Sequence, residues 1–506
     1  MRDHEPIVID QFNGLWLKGD PESVPKDHFS DGENFDFFAR SAGVKTRDGV
    51  DRHQNVAVPL GNVVRIYNYI TQEKNTLLVL TWDGTTGNIY HVVNSTTVYG
   101  PILTKTGMSD FAFVPYAGRA YISPFTSYVV NNLNVEKGLQ NEFLYVYVGD
   151  GTAARKAAGT AASGTLTIVN GTAASNDAGL HIFGVVGETD TGYLSPPIAL
   201  NSFTMDGLHS LSFSNIPVFT GTQWIKRHIV ASIKIPSFNG NLSGYTLYFI
   251  PTGDINNNVA TTLSNITFYD GELIDEVSHL AENYFEIPAG AVLTIYHERL
   301  VLATTYTDIS LILVSAKGEP EAINQINGLL IVPLDGNPIT NAQEMRDILF
   351  VTKRNRIVSY VDNSDVPSSW KPGKVDEAIG SPVHGIATVI DSGGTTIDFL
   401  ILGSYAGIVI FNGTVIVPEL SYKIDDFWFN LDRNEFRKLQ IVLDPIKKKL
   451  YCVLPDGRLL VGDYNNGLNA KGIRWTIWRF DFRVTTIALV NINDLIIAAD
   501  ARSSLL

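Results

Sequence analysis

Apolar and polar positions alternate with a period of two through most of the chain. FLYVYVG (143–149), GYTLYFIP (244–251), LLVLTW (77–82) and KKLYCVLPDGRLLVGDY (448–464) are rich in Val, Ile, Leu and Tyr, residue types that suit a pleated, half-buried surface. Asp83-Gly84, Asn412-Gly413 and Asp456-Gly457 bound such runs, and these pairs tolerate the positive φ angles of tight hairpins. Helical periodicity is scarce. The best stretch, NAQEMRDILFV from Asn341, is one or two turns long and reads equally as a loop entering a strand. The pattern predicts an all-β fold.

One rhythm recurs: apolar strand, polar turn, apolar strand, with a basic residue in the turn at 111–125 and 293–316. It is seen in 65–93, 111–125, 293–316, 347–361, 397–413, 439–463 and 485–500. Antiparallel hairpins repeated at tens of residues suggest the blades of an irregular β-propeller, five to seven of them, with a twisted sandwich as the alternative. Between 153 and 178 the chain turns small and polar, AARKAAGTAASGTLTIVNGTAASNDA, which reads as a flexible join. About seven strands with Pro and Gly turns follow, to residue 285. Their size and pattern fit an inserted immunoglobulin/fibronectin-III-like β-sandwich. The expected organisation is an extended N-terminal segment over 1–50, propeller over 51–155, sandwich over 156–288 and propeller again over 289–506.

The chain has 506 residues, 45% hydrophobic and 18% charged, a balance that supports a packed core. Its net charge of −14 repels phosphate, so tight nucleic-acid binding is not expected, although DNA could slide past such a surface. The one cysteine, Cys452, lies in an apolar run and reads as a buried, inert thiol. MRDHEPIVIDQF lacks the apolar core of a signal peptide, and no stretch reaches eighteen uninterrupted apolar residues. A protein made in the cytoplasm with no membrane span is expected.

Motifs that carry chemistry are missing. The chain has no Gly-x-Ser-x-Gly elbow, Walker loop, His-Glu-x-x-His or Cys-x-x-Cys pair. In His297-Glu298-Arg299 a His adjoins two charged residues, and the triplet reads as a hairpin tip. DINNNVATTLSN (254–265) opens like a calcium loop, but Val259 and Asn265 hold the places of the turn glycine and the bidentate glutamate; a polar turn of the sandwich is expected. Asp425-Asp426 beside Phe427, Trp428 and Phe429 reads as a packed aromatic strand with solvated acids, since adjacent strand residues face opposite ways. No catalytic residue, cofactor or metal is assigned.

The opening FNGLWLKGDPESVPKDHFSDGENFDFFARSAGVKTRDGV (12–50) resembles the start of propeller proteins from the tails of short-tailed bacteriophages, the nozzle or tail-tube B-like family. The matching positions are Gly14, Pro25, Asn34, Gly43, Arg47 and Gly49, with Phe35, Phe37 and Phe38 as aromatic anchors. The resemblance continues in VYVGDGTAARKAAG, GETDTGYLSPP, HERLVLATTYTDISLILVSAKGEPE, VPSSWKPGKVDEAIGSP and GIVIFNGTVIVPELSYKI. Family members are often longer, with extra distal domains.

The resemblance implies a virion structural protein of the tail, a nozzle or adaptor subunit in a ring around the DNA exit channel. The implied partners are itself, as a ring homo-oligomer taken to be a hexamer, and other tail, portal or adaptor proteins, with DNA passing but not held. The opening segment would be assembly and closure material that contacts neighbours or completes a blade. Lumen-facing loops are expected to be acidic, with Lys447, Lys448 and Lys449, at a solvated hairpin tip, kept at subunit contacts or the outer surface. The rival reading is a carbohydrate-binding or carbohydrate-cleaving propeller acting as a receptor-binding protein.

Overall fold

The computed structural model describes residues 13–18, 24–25, 28–37, 44–47, 62–70, 75–130, 133–158, 164–277, 286–324, 329–332, 335–376, 379–382, 387–390, 398–413, 416–417, 420–490 and 494–499. Outside the insertion, seven antiparallel sheets succeed one another along the chain from residue 62, after a two-stranded sheet in the opening segment. The first comprises Asn62–Ile70, Asn75–Trp82, Thr86–Val92 and Val98–Thr106, and the second runs from Asp110–Tyr116 to Arg155–Lys156. Four-stranded sheets follow over 290–331, 339–376, 387–417 and 440–478, and Val484–Val490 pairs with Asp494–Ala499 as the seventh.

Each sheet's leading hairpin packs beside that of the next, and the seventh sheet returns to the first. This is an irregular β-propeller of seven blades, six with four or five strands and one with two among the described residues. Side-chain hydrogen bonds seal the closure. Thr486 Oγ1 donates to Gln440 Oε1 of the sixth blade (2.8 Å) and accepts from Ile66 N of the first (3.2 Å), while Thr485 Oγ1 donates to Val63 O (2.7 Å).

Central strands are buried on both faces: every residue of Arg299–Thr305, Lys449–Val453 and Leu459–Asp463 is buried. They therefore read as apolar runs, as strands covered on two sides do. The core lies between neighbouring blades, for example Tyr296, Val301 and Val314 of the third against Ala342, Leu349 and Tyr360 of the fourth.

Two sheets of three and four strands form the inserted sandwich, in the orders Thr167–Ala173, His209–Ser214, Thr262–Ile266 and Ile198–Met205, Gly179–Thr189, Trp224–Ala231, Tyr248–Ile255. The first six strands in sequence take the places of B, C, C′, E, F and G of the immunoglobulin sandwich. The seventh lies beside E, where D sits in that fold, but comes last in the chain. Phe183, Phe213 and Phe268 pack edge to face in its core, with centroids 5.6 and 6.1 Å apart.

Two expectations change. The small-residue stretch 153–178 is not a join throughout, because Arg155–Lys156 closes the second blade and Thr167–Ala173 is a sandwich strand. Leu166 and Ile168 supply the burial there, and the neighbouring strand supplies the hydrogen bonds; residues 159–163 lie outside the described ones. NAQEMRDILFV is a strand hairpin, Ile339–Met345 with Ile348–Lys353. Arg346 and Asp347 both have positive φ (53° and 60°) at its turn, the conformation of a type I′ hairpin.

Candidate assembly site

The opening segment lies along the outer edge of the sixth blade. Leu15 N donates to Trp475 O (3.0 Å) and Asn34 N to Ile477 O (2.8 Å), so the segment runs as an added edge beside Arg474–Trp478. Gly14 makes the first approach possible: its φ is +87°, and a Cβ there would stand 2.7 Å from Trp475 N. Pro25 accepts from His28 N in a turn (2.9 Å), and Phe29 N returns to Gly14 O (3.0 Å). Leu15 is buried in the core of blades five and six.

Asn34 is the pivot of this attachment. At φ 60° it turns the chain into the hairpin Phe35–Phe37 with Val44–Thr46. Its Oδ1 accepts from Arg47 Nε (3.1 Å) and Arg479 N (2.8 Å). Arg47 in turn donates to Arg479 O (3.2 Å) and covers the Phe480 ring at 4.3 Å. Phe35 and Phe37 meet edge to face at 5.5 Å, and the Arg474 guanidinium lies 4.4 Å from the centre of the Phe37 ring.

Of the nine residues the sequence singles out, Gly14, Pro25, Asn34, Phe35, Phe37 and Arg47 therefore belong to one attachment. Phe38, Gly43 and Gly49 lie outside the described residues. The described part of the segment covers an edge of an already complete blade; it does not close the ring, which blades seven and one do themselves. An uncovered sheet edge invites pairing with another chain, and this one is occupied.

Ion pairs that sequence reading missed hold the same region. Lys449 Nζ reaches Asp36 Oδ2 at 2.5 Å, and both side chains are nearly buried. Lys449 is thus the start of a buried strand rather than part of the solvated tip, because the opening segment covers it; Lys447 is exposed. Lys18 pairs with Asp425 (3.1 Å), and Lys423 Nζ donates to Lys471 O (2.9 Å) and Ile473 O (3.0 Å). Asp425–Phe429 is a short α-helix, not an aromatic strand. Trp428 turns inward to donate to Ser404 O (3.0 Å), so the helix serves to bury that ring.

A second cluster locks the sandwich to the propeller. Arg155, on the last strand of blade two, contacts Glu321 (3.0 Å) and Asp190 of the sandwich (2.5 Å). Glu321 also accepts from Ala158 N (2.6 Å) and from Thr191 Oγ1, while Arg119 donates to Asp190 O (2.6 Å). Burial alone would lower the Arg155 pKa, but Glu321 and Asp190 outweigh it and hold the guanidinium above its usual value. The Glu321 side chain is 1% exposed and that of Asp190 32%, so the network runs from the interior to the surface and ties the two domains together.

The remaining sequence candidates have structural roles. Cys452 is buried, and burial pushes its thiol pKa up. In the calcium-like stretch, Asn257 Oδ1 accepts from Val259 N and Ala260 N, Asn258 bonds both backbone groups of Phe219, and Asp254 holds His228 (2.7 Å). The Asn257 oxygen thus serves the turn itself, and those of Asn258 and Asp254 tie it to Phe219 and His228. An open pocket of about 270 Å³ has Arg65, Asp110, Glu136, Arg437 and Arg483 in its lining but no aromatic ring. Arg65 holds Asp110 through both carboxylate oxygens. Among the described residues no helix is long and apolar enough to cross a membrane.

No protein-family model and no curated protein matches the chain. Solved structures it is similar to include Hsv2 of Kluyveromyces lactis at 10% identity, covering 83% of this chain and 97% of that one with a TM-score of 0.26. Apo AztD of Citrobacter koseri is 9% identical over 91% and 93% of the two chains, TM-score 0.31. The Pan2 WD40 domain of Neurospora crassa is 8% identical over 78% and 86%, TM-score 0.27. At these values they carry no argument about function.

Proposed function

We propose that the chain is a structural subunit of a tailed-phage tail, a nozzle or adaptor protein that assembles into a closed ring around the DNA exit channel. The observation that supports it most is the Arg155–Glu321–Asp190 joint, in which Glu321 is buried and Arg155 and Asp190 are partly buried. It makes propeller and sandwich one stiff body, and a cyclic ring needs two different, complementary faces held at a fixed angle. The residues of the resemblance, Gly14, Asn34 and Arg47, are the ones that fasten the opening segment, which agrees with an assembly role. The sandwich also carries exposed Val169, Leu208, Val218, Ile225, Ile233, Val259 and Ile274, apolar surface that a neighbour could cover.

The carbohydrate reading has less support. The pocket of about 270 Å³ has no ring for a sugar to stack on and its Asp110 is committed to Arg65, while the adjoining pocket that holds Tyr405 and Phe436 has only about 30 Å³. Mass photometry of the purified chain over a concentration series, run beside a glycan array, separates the two. The ring reading expects a discrete cyclic oligomer and no glycan signal; a monomer that binds or cleaves a polysaccharide would replace it.

A further inference from the structure

Sequence reading assigns no metal, yet two successive blade hairpins bring three ligand groups to one point. His297, at the tip joining Gly290–Tyr296 to Arg299–Thr305 in the third blade, faces Glu344 and Asp347 from the first hairpin of the fourth. Its Nε2 lies 3.5 Å from Asp347 Oδ1 and 3.8 Å from Glu344 Oε1, and the three ligand atoms lie within 4.8 Å of one another. Four ligands at 2.0–2.1 Å around a tetrahedral ion stand about 3.3 Å apart. Small side-chain rotations therefore close this triad on one ion.

The supporting groups are fixed in place. Tyr296 is fully buried, and its ring stacks on the His297 imidazole with centroids 4.3 Å apart. Its hydroxyl donates to Asp347 O (3.0 Å) and accepts from Asp362 N (2.8 Å). One side chain thus orients the imidazole, the Asp347 turn and the neighbouring Asp362. Asp362 Oδ2 lies 3.9 Å from His297 Nδ1, the other ring nitrogen, and is itself held by Arg299 at 3.0 Å. Carboxylates behind a ligating imidazole recur in metal sites.

We infer that His297, Glu344 and Asp347 form a binding site for one divalent first-row transition ion of the Zn²⁺ or Co²⁺ type, which bridges the third and fourth blades. One imidazole with two carboxylates suits such ions, whereas calcium takes six to eight oxygens. His297 and Glu344 are about one-third exposed and Asp347 is 89% exposed, which leaves the outer coordination positions to water. The inference rests on this geometry and is independent of the tail reading.

The test is titration of the full-length protein, stripped with a chelator, with Zn²⁺ and with Co²⁺, whose visible spectrum reports bound ligands. One ion per chain should bind and raise the unfolding temperature, as a ligand of the native state does. His297→Asn keeps a residue that tolerates the left-handed turn and should weaken binding at least about tenfold. Glu344→Gln, on a strand, should weaken it likewise and keeps the test valid if the turn variant misfolds. Wild-type affinity in either folded variant, or no binding by the wild type, overturns the site.

Discussion

Asn34 and Gly14 show how single residues set the path of the opening segment. A left-handed turn at Asn34 exposes an amide oxygen to Arg47 and to the Arg479 backbone, and at Gly14 only hydrogen fits against Trp475. Gly14→Ala should cost about 1–3 kcal/mol, from strain at φ +87° and the clash; chemical denaturation that finds no loss would show the edge contact to be loose. His91 gives a pH signature. Thr76 Oγ1 donates to Tyr69 O, so it accepts from His91 Nε2 (2.9 Å), and Nδ1 then accepts from the Tyr147 hydroxyl (2.7 Å). Burial lowers the His91 pKa to about 4. The unfolded chain, with a pKa near 6.5, takes up the proton first, so stability is full above about 6.5 and falls as pH drops towards 4. The loss should approach about 3 kcal/mol. Urea unfolding at pH 7 and 4.5 should show that His91→Gln removes that part of the slope; an unchanged slope would contradict it.

At the scale of elements, strands and hairpins are legible wherever local sequence decides them. Runs such as Leu459–Asp463 announce buried strands, and Asp456-Gly457 announces the turn before them. What escapes reading depends on distant partners. Arg155 finds Glu321 166 positions away, and Lys449 finds Asp36 413 positions away, so neither residue looks different from a surface charge. The metal triad is half legible: His297 stands out, but Glu344 and Asp347 join it only because blades three and four are neighbours. The five-residue helix at Asp425 is too short to leave a period. The sixth blade's edge yields a prediction. A chain truncated before residue 48 loses the strand beside Arg474–Trp478 and uncovers Leu15's place in the core. It should self-associate through the open edge, visible as irregular high-mass species in light scattering; a well-behaved truncated protein would mean the segment does not protect that edge.

Among the described residues the molecule is a closed propeller of seven blades with a sandwich tied to its second and third, and the chain's net charge is −14. No residue signature repeats from blade to blade, so the sequence brackets the count at five to seven, and the described residues form seven. If such bodies tile a ring around passing DNA, the wall should be acidic, since basic side chains would release counterions and hold the duplex. Repulsion from an acidic wall is screened beyond about 8–10 Å in physiological salt. The measurement that bears most directly on this is a single-particle cryo-EM map of the assembled protein with its charges placed. The account predicts a cyclic ring, sixfold, whose lumen admits a duplex and carries more Asp and Glu than Lys and Arg, with Lys447 and Lys448 away from it. A lumen dominated by arginine and lysine, or a ring closed too tightly for a duplex with no gate visible, would contradict it.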